Sequence, residues 1–255
     1  MNHQLNPNNI PGIYNYCDRW CERCNFTSRC AVYERTSKLT PEQNDINNKA
    51  FWEQLSKNFA DTLVMITEEA AKQGIDLNAV PEEEMEEYKL KEKQKDERNE
   101  KHPLIIAAKL YADKAMELVK KNNLFTDKTA EIQQQVELGI TGVDVAKLEL
   151  ESLNDCYEIV QWYMHQLYVK LKRAMSVYDD GEDDDELMMS DANGSAKVAL
   201  IGTERSMIAW EKIMRMLPTA EDDILEILAL LQKIRMLIDK QFPSAVNFKR
   251  PGFDD

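Results

Sequence analysis

Cys17, Cys21, Cys24 and Cys30 stand in one run of fourteen residues, CDRWCERCNFTSRC, spaced C-x3-C-x2-C-x5-C. They are four of the chain's five cysteines. Thiolates are strong ligands for zinc and for iron–sulfur clusters, whereas thiols that merely fill a core need no common address. The run therefore reads as a metal centre with these four cysteines as ligands. Cys21 and Cys24 by themselves spell C-x2-C, the redox dithiol spacing, but the α/β surroundings of a thioredoxin-like site are missing.

The spacing bears on which metal. Four sulfurs around one zinc, each at ~2.3 Å from it, lie within about 3.8 Å of one another. Cys17 and Cys24, seven apart, would be separated by about 10 Å along a straight helix, so the chain has to bend. A cluster of several irons spans more room than one zinc, and compact single-run motifs are familiar for such clusters. Zinc more commonly takes two separated C-x2-C knuckles. The expected cofactor is a 4Fe-4S iron–sulfur cluster, with a single zinc as the alternative. Arg19, Arg23, Arg29 and Arg35 lie close by in sequence and would offset the negative charge of bound thiolates.

The C-x3-C-x2-C part resembles the spelling used by radical-SAM proteins, and the C-x2-C-x5-C part resembles the iron–sulfur staple of some helicase–nucleases. Both resemblances are confined to this window, and neither brings an activity with it.

Other chemistry is weaker. A ferritin-like di-metal site needs Glu-x-x-His on two helices, and His3, His102 and His165 close none. Glu151, Asp155, Glu158 and His165 follow one line of a helix, opposite its apolar stripe, where charged side chains normally meet water. Glu204 and Glu211, also seven apart, read the same way. Cys156 is expected to be a buried thiol. Trp162, Tyr163, Met164, Tyr168 and Trp210 read as core rather than as a cofactor box. The acidic run 179–186, DDGEDDDE, lacks the order of a calcium loop. Phosphate-binding glycine motifs and a nucleophile elbow are absent.

These groups need a scaffold. The chain has 255 residues, 43% of them hydrophobic, with only eight glycines and eight prolines. That balance favours long helices over many strands and turns. A net charge of −14 opposes whole-surface binding to nucleic acid. No apolar run is long enough to span a membrane, and the polar start lacks the apolar core of a signal peptide. A cytoplasmic setting, in which thiols stay reduced, is expected.

Apolar periodicity predicts helices over about 47–73, 81–101, 103–118, 127–138, 143–178, 195–216 and 219–241. The first should bury Phe51 or Trp52, then Leu55, Phe59, Leu63, Ile66 and Ala70, while 81–101 should be solvated. The fold class is all-α: four or five long antiparallel helices in a bundle, with an N-terminal cysteine-rich cap. Residues 1–45 form the metal-binding segment, 46–241 the bundle with an acidic mobile loop over 179–194, and 242–255 an extended tail. Functionally this is a cytoplasmic four-cysteine metalloprotein, iron–sulfur with a redox or sensing role. The alternatives are a zinc-fastened helical interaction scaffold and a ferritin-like bundle metalloenzyme.

Overall fold

A computed structural model of the chain describes residues 6–77, 81–121, 124–180 and 186–254. Among the described residues there are helices and turns and no strands. None of the helices there is long and apolar enough to cross a membrane. The chain divides into two compact units, one comprising Met1–Tyr14 and Cys21–Gln94, the other Asn15–Trp20 and Lys95–Asp255.

In the first unit, two 3-10 turns, Cys21–Arg23 and Thr27–Arg29, bend the cysteine run. They are followed by α1 (Ala31–Thr36), α2 (Pro41–Asn44) and α3 (Lys49–Lys72). Thr40 and Gln43 form a reciprocal capping box around Pro41, with Thr40 Oγ1 accepting the Gln43 amide at 3.3 Å. Asn48 Oδ1 caps α3 at the Ala50 amide, 3.0 Å away. The stripe of α3 corrects the sequence expectation. Ala70 is buried, but Trp52, Leu63 and Ile66 are exposed and Phe59 is 64% exposed. Periodicity shows only that a helix has an apolar side, and α2, against which α3 packs, is a single turn.

The helix α4 (Glu82–Glu100) opens with Glu82, Glu83 and Glu84, which suit the positive end of its dipole. Met85, Tyr88 and Leu90 are exposed, as expected of a solvated helix.

The second unit holds the core. It contains α5 (Pro103–Lys121), α6 (Leu124–Glu137), α7 (Val143–Asp180), α8 (Glu186–Met216) and α9 (Glu221–Gln241). α7 packs on α8, α5 on both α7 and α9, α8 on α9, and α6 on α7. Leu104, Tyr111, Val160, Leu167, Leu171, Trp210, Ile224 and Leu231 are wholly buried, each full apolar side chain adding roughly 1.5–3 kcal/mol. Inside this core the Trp210 indole donates to Tyr111 Oη at 3.5 Å.

Part of the expected acidic loop over 179–194 is helical. Residues 181–185 lie outside the described residues, whereas Asp179 and Asp180 close α7 and Glu186–Gly194 belong to α8. The small residues Ala192 and Gly194 are packing positions, which an apolar-stripe reading passes over. In the tail, Phe242 and Ala245 are buried around the 3-10 turn Ala245–Asn247.

Candidate metal centre and its anchor

Within the first unit, three of the cysteines follow one another through tight turns. The Cys24 amide donates to the Cys21 carbonyl at 3.1 Å, and the Cys30 amide to the Thr27 carbonyl at 3.3 Å. Cys30 then starts α1, its carbonyl accepting from the Glu34 amide at 2.9 Å. Residues 8–10 fold back on the second turn. Ile10 donates to the Arg29 carbonyl at 3.0 Å, while Arg29 Nε donates to the Asn8 carbonyl at 3.2 Å.

The sulfurs themselves are half-buried, and none of the five cysteines forms a disulfide. Cys24 Sγ accepts the backbone amide of Phe26 at 3.4 Å. In the second unit, Cys17 Sγ accepts the backbone amide of Arg19, again two residues on. At Cys17 that amide favours the thiolate, the form that binds metal. Burial outweighs this at Cys17 and raises its thiol, with the Arg19 amide and the charges of Arg19 and Lys170 working the other way. Burial likewise lowers the Lys170 amine.

The donor set suits zinc or an iron–sulfur cluster in chemistry. Its convergence is not built: among the described residues, no three His, Cys, Asp or Glu side chains are grouped to hold a metal ion. Glu151 and His165 are exposed, Asp155 and Glu158 half-buried, and they make no such group either. Cys156 is buried, as expected, and its thiol is raised by burial.

What the sequence reading missed is how residues 16–20 are held. Asp18 is gripped at two places. Its carbonyl accepts the Trp162 indole N–H at 3.0 Å and the Gln166 amide. Its carboxylate Oδ2 accepts Tyr163 Oη at 2.6 Å and Arg205 Nη1 at 2.9 Å, and Oδ1 accepts the Trp20 amide at 3.2 Å. Trp20, 8% exposed, stacks on Trp162 with centroids 5.0 Å apart and planes inclined by 13°. Its ring also meets the edge of Tyr163.

Two glycines of α8 make this possible. A Cβ at Gly194 would stand 2.3 Å from the Tyr16 ring and 2.8 Å from Phe248, and Tyr16 and Phe248 meet edge to face at 4.8 Å. A Cβ at Gly202 would stand 2.8 Å from the Tyr163 ring. Arg19, between Asp18 and Trp20, has φ +59°, a left-handed conformation uncommon outside glycine. The grip on both its neighbours sustains it.

Trp162 and Tyr163 therefore do more than fill a core, and the residues between the cysteines do more than space them. The available signal was the pair Asp18 and Trp20, a short acceptor and a large aromatic inside a ligand run.

Compared with protein-family models, with curated proteins and with solved structures, the chain finds no match in any of the three.

Proposed function

We propose that the chain is a four-cysteine metalloprotein in which Cys17, Cys21, Cys24 and Cys30 hold an iron–sulfur cluster used for redox work or sensing in a reducing compartment. The observation that carries the reading is the pair of amide-to-sulfur hydrogen bonds, Phe26 to Cys24 and Arg19 to Cys17, within one bent fourteen-residue run. Such bonds stabilise metal-bound thiolates and tune the potentials of clusters. Metal binding of this kind supplies part of the folding free energy. Residues 16–20, which flank Cys17, are held against α7 and α8, and the net charge of −14 points away from nucleic acid as the partner.

The test is purification under argon, with iron, zinc and sulfide analysis and an absorption spectrum. Brown protein holding iron and sulfide, bleached by dithionite and lost when the four cysteines become serine, is the expected result. Colourless protein with one zinc per chain and a lower Tm after chelation would replace the redox role with a structural one. Metal-free protein whose stability is unchanged by Cys21→Ser would end the metal reading.

A further inference from the structure

We infer that Cys21 and Cys24 form a reversible disulfide, a two-electron redox couple built into the first 3-10 turn of the cysteine run. It goes beyond the metal reading and does not require it. Two sulfurs cannot serve both purposes at once, so this bond and a metal held there exclude each other.

Its basis lies within one compact unit, which holds the chain from Cys21 to Gln94 together with Met1–Tyr14. Cys21–Arg23 is a 3-10 turn, and the Cys24 amide closes it by donating to the Cys21 carbonyl at 3.1 Å. In such a turn residues three apart eclipse one another, with Cα atoms about 6 Å apart. Disulfides bridge Cα separations of roughly 4.4–6.8 Å, and beyond ~7 Å the backbone has to move. Cys21 and Cys24 meet that requirement as they stand. The Cys30 amide closes its own turn onto Thr27, which has no thiol. Both turns are held from inside the unit. The Arg29 amide donates to the Phe26 carbonyl and the Ile10 amide to the Arg29 carbonyl, each at 3.0 Å. Cys24 Sγ is seated by the Phe26 amide at 3.4 Å. The two cysteines are half-buried, while Glu22 and Arg23 between them are exposed, so an oxidant can reach the pair.

The oxidant is a disulfide, of a small thiol or of another protein. One thiolate of the pair attacks it, forming a mixed disulfide and expelling one thiol. The second thiolate attacks the chain's own sulfur in that bridge, forming the Cys21–Cys24 bond and expelling the other thiol. Two protons leave with the expelled thiols. The chain gives up two electrons, and the oxidant disulfide is reduced to two thiols. In a reducing compartment such bonds are transient and serve catalysis or redox sensing.

Glutathione disulfide is the probe. The full chain, reduced and stripped of metal by a chelator, is equilibrated in buffers of varied glutathione ratio, quenched with acid and alkylated. Trypsin cuts after Arg19, Arg23 and Arg29, which puts Cys21, Cys24 and Cys30 on separate fragments. The expected product has lost two of the chain's five thiols and links fragment 20–23 to fragment 24–29. The folded chain should favour the bond about tenfold over the same chain in urea, a shift of ~30 mV. Cys21→Ser should leave Cys24 in a mixed disulfide with glutathione, while Cys30→Ser should form the bond as wild type does. Linkage of 20–23 to 30–35, bonds between chains, mixed disulfides alone in wild type, or equal formation in urea overturns the inference. Wild-type protein that takes up no metal yet forms this bond supports the inference and removes the metal reading alone. A chain that loads metal but, once stripped, forms no bond overturns the disulfide alone.

Discussion

Tyr163 Oη lies 2.6 Å from Asp18 Oδ2 and 2.6 Å from Arg205 Nη1, so one buried hydroxyl joins residues 145 and 42 positions away in sequence. Hydrogen bonds to charged groups contribute more than neutral ones, and Tyr163→Phe should cost about 2 kcal/mol. Urea unfolding checks this: the midpoint should fall with the slope unchanged.

Gly194→Ala should destabilise the protein, against the usual gain from replacing a helical glycine. The new methyl would stand 2.3 Å from the Tyr16 ring, and that ring is wedged against Phe248. Overpacking of this kind costs about 1–3 kcal/mol. A Tm equal to or above that of wild type would contradict the packing described.

Glu100 accepts from Lys109, from Tyr168 Oη at 2.8 Å and from Lys172 at 3.0 Å, and these bonds hold its carboxyl at about 2. A depressed carboxylate stabilises the fold fully above its unfolded value and loses that contribution as pH falls through its folded one. The difference between wild type and Glu100→Gln should therefore be complete above pH 4.5 and vanish near pH 2. Because the site is partly open to water, a loss of about 1 kcal/mol at neutral pH is expected rather than the full electrostatic value. Denaturation midpoints across that range supply the measurement.

Tyr16 behaves in the opposite sense. Burial, then its hydrogen bond with Asp191, raises its hydroxyl to about 12 from 10.0. A raised group stabilises fully below its unfolded value, and the contribution drains away as pH climbs from 10.0 towards 12. Titration of tyrosinate absorbance should show a late phase, shared with the raised Tyr163, Tyr111 and Tyr168, whose amplitude falls by one tyrosine in Tyr16→Phe.

On α3, Phe59→Ser and Leu63→Ser should each shift stability by less than about 0.5 kcal/mol, as surface changes do. By contrast, Leu104→Ala in the sealed core of α5 should cost about 2–5 kcal/mol. Both comparisons need only equilibrium unfolding of single variants.

Most of the helices were legible in the sequence because their apolar stripes are long and their ends are marked. Pro103 opens α5, Thr40 and Gln43 box α2, and Pro218 interrupts the chain just before α9. The expected stripe Leu104–Ala108–Tyr111–Ala115–Leu118 is buried, and of the stripe Leu153, Tyr157, Val160, Met164, Leu167 and Leu171 all but the half-buried Tyr157 are. Burial of α3 was not legible, since its amphipathic pattern carries no information about what covers it. The start of α8 was hidden by Gly194, which reads as a helix breaker until the Tyr16 ring beside it is known. At the candidate site, spacing singled out the cysteines but gave no hint that Asp18 and Trp20 meet Trp162, Tyr163, Gln166 and Arg205. Those contacts join positions more than 140 residues apart, and neither periodicity nor motif encodes such separations.

The stacked pair Trp20 and Trp162 has one further consequence. Two indoles 5.0 Å apart and nearly parallel share their excited states. Their coupling is a reporter built into the chain, present while Trp20 is stacked on Trp162 and lost when residue 20 leaves it.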